Sequence, residues 1–413
     1  MKNNLPILAL LFLLTASGSY AQQLDYPQRS WLKDNAYTIH PDETFGKASW
    51  EYIFPHINDK RIILIGEFTH GAKEISIVRN DLVRFLHEKL GFNTLLFEAG
   101  IGELAAVDIN RQQLNAAQMT SGFYLNGRTK ENRELMNYVK TNNMAIAGFD
   151  VQRSGNTFIT VFKNTARKQN LDTAICSQLE NSFTILDREL ANRKAVYDSV
   201  SSKTLLLIAG YQQVYDQLSV NKAGNFSREH VFTLKTIASR IRFLQYKLRF
   251  VKDRDWNSAW EARDSAMADN IRWLADSVFK NEKLIILGHN FHIAKSNEQL
   301  TVMGGILRTR YPRQMYSLGV FAGSGSYADN YEKETKMLPP DSAGTDLKHI
   351  ITLLPGFTSY LNIPANKVNG TDWLHKNIVV NDTFIDLNSS NKMILAKQFD
   401  GVLLLKKVSP PDP

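Results

Sequence analysis

The sequence has a single cysteine, Cys176, among its 413 residues, so the chain cannot form an intramolecular disulfide. A chain of this length can bury enough apolar surface to be stable without one. Cys176 lies in a helical stretch with no histidine nearby in sequence. We therefore expect a buried, unreactive thiol here and not a nucleophile.

Two functional signatures are also missing. No G-x-S-x-G motif is present, which disfavours a serine hydrolase of the usual α/β type. The formal charge is +8, but the lysines and arginines are dispersed, so no surface for nucleic-acid binding is indicated. Hydrophobic residues make up 43% and charged residues 22% of the chain, which is ordinary globular usage and excludes general disorder.

The first 21 residues have the pattern of a secretory signal peptide. Lys2 gives a basic start, residues 7–14 form an apolar run, and Ser19-Tyr20-Ala21 is a small-x-small cleavage site. The apolar run is short for a membrane span, so an uncleaved anchor is the weaker alternative. We expect cleavage after Ala21, no membrane anchor afterwards, and export of residues 22–413 to the periplasm or medium.

Short, continuously apolar runs predict parallel strands that are covered on both faces. They are residues 61–66, 93–98, 144–150 and 283–288, with further strands at 315–321 and 402–405. Residues 73–90 carry apolar side chains at helical spacing and end at Gly91, a natural helix stop. Strand, helix and strand in this order predict an α/β fold with a central, mostly parallel sheet.

The stretch from about residue 157 to 278 is helical in pattern almost throughout. We interpret it as a long insertion between strands that forms a lid or cleft wall. Residues 299–310 are also expected to be helical. Aromatic residues of the insertion are expected mainly to pack its helices, with a few lining the cleft; they are Tyr211, Tyr215, Phe243, Tyr246, Phe250, Trp256 and Trp260.

Polar, titratable residues follow the ends of four predicted strands. Glu67 and His70 follow the first, Glu98 ends the second, Asp150 ends the third, and His289 and His292 follow the fourth. Ligands bind at the carboxyl ends of strands in open parallel sheets, so we expect these groups to share one site. Arg79, two turns into the first helix, is expected to reach the same edge because helical side chains lean towards the N-terminus.

Each of these residues also has a purely structural interpretation. Glu67 could cap the next helix, His70 could be an ordinary helix-start histidine, and Arg79 could be a surface arginine. His289 and His292 could be loop histidines with ordinary hydrogen bonds, and Asp150 is the weakest candidate. Glu98 is the hardest to dismiss, because a carboxylate at the end of a buried strand is costly unless it is paired.

The motifs together resemble the erythromycin esterase family. The resemblance lies in IGEFTHGAKE, LLFEAG, GFDVQ, ARDSAMADN, GHNFHIAK and MGGILRTRY, which fall between about residues 61 and 321. It implies a hydrolase with His70 as general base, surrounded by Glu67, Arg79, Glu98, His289 and His292. It also implies a macrolide ester or lactone as a possible substrate, with no cofactor.

Water activated by His70 fits these residues, with Glu67 or Glu98 orienting the imidazole and Arg79 or a second histidine stabilising the oxyanion. Two alternatives remain open. The histidines and carboxylates also suit a Zn²⁺ or iron hydrolase, although their spacing matches no standard zinc signature and an arginine beside them disfavours a cation. A non-catalytic exported protein that binds a small ligand is the other alternative. The sequence leaves the oligomeric state open.

Overall fold

The structure is a computed structural model, and it describes residues 24–40, 50–220, 226–330, 334–340, 346–381 and 390–412. The predicted signal peptide lies outside the described residues. Among the helices that are described, none combines the length and apolar character needed to cross a membrane.

Within the described residues the chain forms twelve strands. They are β1 (Ala36–Ile39), β2 (Ile62–Ile65), β3 (Thr94–Gly100), β4 (Ala145–Asp150), β5 (Leu284–Leu287), β6 (Met315–Ala322), β7 (Ser326–Ala328), β8 (Thr335–Met337), β9 (Thr358–Asn362), β10 (Ile378–Asn381), β11 (Ser390–Met393) and β12 (Gly401–Leu405).

The described part of the chain also contains fifteen α-helices. They are α1 (Tyr26–Asn35), α2 (Phe54–Ile57), α3 (Lys73–Leu90), α4 (Ile101–Asn110), α5 (Ala116–Met119), α6 (Lys130–Thr141), α7 (Phe158–Lys168), α8 (Thr173–Ala191), α9 (Tyr197–Ser219), α10 (Arg228–Asp253), α11 (Trp256–Trp273), α12 (Asn290–Ile293), α13 (Met303–Arg310), α14 (Leu347–Leu353) and α15 (Leu395–Gln398).

Eight strands form the central sheet, in the order β1-β9-β12-β6-β2-β5-β3-β4. The six strands from β12 to β4 are parallel to one another, and β9 runs antiparallel to both β1 and β12. Every residue of β2 and β5 is buried, as expected for strands covered by helices on both faces. The predicted α/β fold with a mostly parallel sheet is therefore confirmed.

The βαβ unit predicted from the sequence is β2, α3 and β3. Helix α3 buries Ile75, Val78, Leu82 and Leu86 on one face. It ends at Gly91, whose φ of 69° lies in the left-handed region that glycine adopts without strain. This unit delivers residue 70 and the start of α3 to the carboxyl edge of the sheet.

Helices α7 to α11 lie between β4 and β5 and pack around their own apolar cluster. Cys176 is buried within that cluster, and burial raises the pKa of its thiol to about 11, as expected for an unreactive cysteine. The prediction of a helix over residues 299–310 was too long. Helix α13 begins at Met303, where the backbone N–H is bound by the Asp264 carboxylate at 2.8 Å.

Candidate active site

Four adjacent strands deliver the predicted site residues to one edge of the sheet. In the sheet β5 lies between β2 and β3, and β4 lies beyond β3. The residues after β2 and β5 therefore meet those of β3 and β4 at the carboxyl edge. They border a cleft of about 510 Å³. Of the six residues proposed for the site, four line this cleft: Glu67, His70, Arg79 and Glu98.

His70 is held by Glu67. Its Nδ1 lies 2.7 Å from Glu67 Oε1, so Nδ1–H donates to the carboxylate and Nε2 is the nitrogen left to act as a base. The other oxygen of Glu67 accepts from Arg79 Nη1 at 2.6 Å. Helix α3 begins after Ala72, which makes no side-chain cap, so Glu67 is not the helix cap considered from the sequence.

The charges around this pair shift both pKa values. Burial lowers the pKa of His70, but the negative charge and hydrogen bond of Glu67 outweigh it, so the pKa lies above its ordinary value. Burial raises the pKa of Glu67, but Arg79 and His70 outweigh it and hold the pKa below its ordinary value. Glu67 therefore stays ionised when His70 titrates.

Arg79 has one donor group without a partner. Its Nε is buried, and among the described residues no hydrogen-bond acceptor reaches it. Arg79 also lines the cleft, and it is 6% exposed. Arg79 therefore brings a positive charge to the wall of the cleft.

Glu98 is the centre of a second group of charges. Its Oε1 accepts from Arg263 Nη2 at 2.9 Å, and its Oε2 accepts from the backbone N–H of His289 at 2.9 Å. Burial raises the pKa of Glu98, but His292 and Arg263 outweigh it and hold the pKa far below its ordinary value. Glu98 is therefore a paired carboxylate, as its place at the end of a buried strand required.

His289 and His292 touch this group but do not line the cleft. His289 Nε2–H donates to the Phe68 carbonyl at 2.9 Å, and its Nδ1 accepts from the Phe291 N–H at 3.2 Å. Both nitrogens thus bind backbone, which fixes a neutral tautomer. Burial lowers the pKa of His289 to about 3, so the ring stays neutral.

His292 is fully buried behind Glu98. Its Nδ1 lies 2.6 Å from Asp264 Oδ1, and its Nε2 lies 3.1 Å from Arg263 Nη1 and 3.4 Å from Glu98 Oε1. The guanidinium can only donate, so in the neutral form of the ring Nε2 accepts and Nδ1–H donates to Asp264. The His-x-x-His segment, expected on a loop, forms the short helix α12 with His289 as its N-cap.

Two titratable residues that line the cleft, Arg263 and Tyr124, were not assigned from the sequence. Arg263, on α11, binds Asp150 Oδ2 at 2.5 Å as well as Glu98. Tyr124 donates to the same Asp150 oxygen at 2.9 Å. Burial, followed by Asp150, raises the pKa of Tyr124 well above its ordinary value. Asp150 therefore anchors Arg263 and Tyr124 and does not itself line the cleft.

The motif ARDSAMADN was the one available signal for Arg263. It contains both Arg263 and Asp264, and a helix that buries adjacent charges must pair them elsewhere in the fold. Their partners are distant in sequence, so the pairing itself was not readable. Tyr124 lies between two short helical turns, and no pattern around it indicated a site.

The remaining cleft wall mixes apolar and amide side chains. Phe97, Phe123 and Leu125 line one side with Asn126 and Asn132, and Trp260 of α11 lines the cleft from the insertion. Helix α11 thus forms the predicted cleft wall. Among the described residues, no group of three or more His, Cys, Asp or Glu side chains is placed to hold a metal ion.

The chain has an α/β fold, and its titratable side chains converge on one cleft at the edge of the sheet. The sequence model of the erythromycin esterase family matches residues 87–408. The chain therefore belongs to the erythromycin esterase family, and this membership indicates hydrolase activity. The match starts after Glu67, His70 and Arg79, and it continues well beyond residue 321, where the resemblance read from the motifs ended.

Individual relatives are distant but match most of the chain. YbfO of Bacillus subtilis is 26% identical over 92% of this chain and 91% of its own length. The erythromycin esterase type II of Escherichia coli is 24% identical over 74% of this chain and 80% of its own length.

Solved structures share the fold at lower identity. A Bacillus cereus protein superposes with a TM-score of 0.74 at 20% identity, covering 93% of this chain and 98% of that one. A mutant of the erythromycin esterase EreC in its open conformation superposes with a TM-score of 0.64 at 15% identity, covering 92% of this chain and 98% of that one.

Proposed function

We propose that the protein hydrolyses a carboxylic ester or lactone by direct attack of water, with His70 as general base. The observation that carries this proposal is the pairing of His70 Nδ1 with Glu67 at the edge of the cleft. This pairing fixes the tautomer in which Nε2 is free to accept a proton. General-base catalysis of this kind contributes about 10²- to 10⁴-fold in rate.

The reaction needs one proton transfer in each direction. His70 Nε2 takes a proton from water as the water oxygen attacks the carbonyl carbon. The positive charge of Arg79, which lines the cleft, stabilises the resulting oxyanion, and such stabilisation is worth about 3 kcal/mol for a well-placed donor. The imidazolium then returns the proton to the alkoxide as the C–O bond breaks. An ester gives an acid and an alcohol, and a lactone gives one hydroxy acid.

In this mechanism Glu67 orients His70. The sequence had left open whether Glu67 or Glu98 has this role. Glu98, His289, His292 and Arg263 support the floor of the site. Their ring nitrogens and carboxylate oxygens bind one another or the backbone. They act by holding the loops after β2 and β5, and they exchange no proton with substrate.

The substrate class follows from the family and from the cleft wall. Phe97, Phe123, Leu125 and Trp260 offer apolar surface to a bulky ester, while Asn126 and Asn132 offer hydrogen bonds. A macrolide antibiotic is the specific substrate that the family name suggests. Export through the proposed signal peptide would place the enzyme where such compounds are met first.

A metal-dependent hydrolase is the alternative in the same chemical class. The donor set argues against it, because Glu67 and Glu98 already bind Arg79, Arg263 and two N–H donors. The arginines supply the positive charge that a cation would bring. We expect activity to survive dialysis against EDTA; loss of activity that one equivalent of Zn²⁺ or Fe²⁺ restores would establish the alternative.

The decisive test is mass spectrometry of a panel of macrolides and simple esters after incubation with the protein and with His70→Gln. We expect one substrate to gain the mass of water with the wild-type protein. The glutamine variant, which cannot take up the proton, should be at least about 100-fold slower. Equal rates for the two proteins would refute the assignment of His70. Turnover of simple esters but of no macrolide would keep the mechanism and reject the antibiotic substrate.

A further inference from the structure

The segment that follows β12 runs back towards the start of α3. Val408 pairs with the start of β7 and the residues just before it. Its N–H donates to the Ser324 carbonyl at 3.0 Å, and its carbonyl accepts from the Ser326 N–H at 2.9 Å. Residues 409–412 (Ser-Pro-Pro-Asp) then leave this pairing and cross between two helices. We call these four residues the strut.

One end of the strut binds the first turn of α3, directly after His70. Both oxygens of Glu74 accept from Ser409, one from its N–H at 2.6 Å and one from its hydroxyl at 2.7 Å. The Ser409 carbonyl accepts from the Lys73 N–H at 2.8 Å, which satisfies one of the free N–H groups at the helix start. Three hydrogen bonds thus fix this turn.

The other end of the strut binds the first turn of α6. The Asp412 carbonyl accepts from the Lys130 N–H at 3.2 Å, and the Asp412 carboxylate lies 2.7 Å from Lys73 Nζ. The loop just before α6 supplies the cleft-lining residues Tyr124, Leu125, Asn126 and Gly127. The strut therefore connects the helix start beside His70 to the start of α6, which follows this part of the cleft wall.

Pro410 and Pro411 make this connection stiff. Each proline ring fixes its own φ, and each proline also restricts the residue before it. The separation of Ser409 from Asp412 is therefore set by the sequence between them. The loop after His70 is confined from another side as well, because a Cβ at Gly71 would lie 1.9 Å from the Ala328 carbonyl oxygen.

We propose that the strut positions His70, and that Glu74, Ser409 and Asp412 are positioning residues for the reaction. Helix α3 begins three residues after His70 and carries Arg79, the partner of Glu67. A shift of its first turn moves the base and the arginine together. This inference rests on the proposed function for its effect on rate, but the geometry of His70 is measurable without substrate.

Three variants test the role of the strut. Pro410→Gly/Pro411→Gly keeps both anchors but loosens the link, and Ser409→Ala removes only the hydroxyl. The third variant is a chain ending at Val408, which lacks the strut. We expect kcat to fall about 10- to 100-fold in the double glycine and shortened variants, because misplacement of about 1 Å costs this much. KM should change less than about twofold, since the cleft lining keeps its residues.

The second measurement is the titration of His70 by NMR with labelled histidine, assigned by the signal absent from His70→Gln. A loosened turn weakens the contact with Glu67, so the His70 pKa should move down towards its ordinary value in the double glycine variant. Pro312→Gly, an exposed proline remote from the cleft, is the matched control and should match wild type in both measurements.

The outcomes separate this inference from the proposed function. Unchanged kcat and unchanged His70 titration in the double glycine and shortened variants would overturn the role of the strut. An equal loss of kcat in Pro312→Gly would do the same, because the effect would not be specific. Full activity of His70→Gln would instead overturn the proposed function, and the titration would still decide whether the strut positions His70.

Discussion

The two histidines that face each other in the site differ in what holds their ring nitrogens. The rings of His70 and His289 lie 5.3 Å apart between centroids, yet the pKa of His70 is raised and that of His289 is lowered to about 3. Burial acts on both in the same direction. The difference is that Nδ1 of His70 faces a carboxylate, whereas both nitrogens of His289 face backbone groups.

The raised pKa of His70 gives a testable pH dependence. A base must be unprotonated, so kcat/KM should rise with pH through the pKa of His70. Replacing Glu67 with Gln removes the charge that stabilises the imidazolium, so this rise should move to lower pH. The maximal rate should fall about 10-fold or more, because the imidazole loses its fixed orientation. The pH profile of kcat/KM measures both effects.

Asp59→Asn provides a control, since Asp59 is an exposed acid that pairs with its neighbour Lys60. It should leave the profile unchanged. A profile that stays in place in Glu67→Gln would mean that Glu67 does not set the pKa of His70.

At the scale of single elements, helix α11 connects the insertion to the sheet. Arg263 from its middle pairs with Glu98 of β3 and Asp150 of β4. Asp264 pairs with His292 after β5, and Trp260, one turn earlier, lines the cleft. One helix therefore supports both the charged floor and the wall. Substitutions on the two faces of α11 should therefore have different effects, one on the charged floor and one on the wall.

Trp260→Ala tests the wall. Removing the indole deletes apolar surface that only a bulky substrate reaches, so KM for such an ester should rise about 10-fold, with kcat for a small ester such as an acetate nearly unchanged. Trp256→Ala is the matched control, since Trp256 lies on the same helix and packs against Phe250 outside the cleft. An equal rise for both substrates, or in both variants, would contradict a role in binding bulky substrates.

The sequence was sufficient to predict helices and strands whose pattern lies within one short segment of the chain. The bounds of α3, from Lys73 to Leu90, follow from apolar spacing and from Gly91, and each apolar run became a strand within about two residues. Glu67, His70 and Glu98 were placed at the cleft because parallel strands expose their carboxyl ends on one edge. Arg79 joined them through the lean of helical side chains.

Pairings between segments that are distant in the chain could not be predicted from the sequence. Arg263 reaches Glu98 and Asp150 only because β5 returns the chain beside β3, and that return depends on sheet order. The same limitation applies to His289 and His292. Their place after a strand was correct, but which ring would face the cleft depends on how α12 turns. In the structure neither ring lines the cleft.

At the scale of the whole molecule, the buried neutral His289 makes stability depend on pH. Its pKa in the folded state is about 3, below the value of about 6.5 in an unfolded chain. As pH falls below about 6.5 the unfolded chain takes up a proton that the folded chain does not, so the free energy of unfolding decreases. This loss continues until pH approaches about 3.

His289→Gln tests this dependence, because glutamine keeps a donor and an acceptor but does not titrate. Urea unfolding at pH 7.5 and at pH 5 should show a smaller loss of stability for the variant than for wild type. His349→Gln, on α14 away from the cleft, is the matched histidine replacement. An equal loss in wild type and His289→Gln would mean that the imidazole is not kept neutral by burial.

The order of strands in the sheet also has a consequence for how the chain is made. Strands β2 and β3 are consecutive in the chain, but they are not neighbours, because β5 lies between them. About 180 residues, including the whole helical insertion, separate β3 from β5. At about 5–20 residues per second, a ribosome needs on the order of 10–40 s to synthesise them.

During that time the facing edges of β2 and β3 lack their final partner, and unpaired edges are where aggregation begins. The nascent chain should therefore depend on chaperones until β5 has been synthesised. The cleft forms late for the same reason. Glu67 and Glu98 cannot reach their places until the central strand of the site has been inserted.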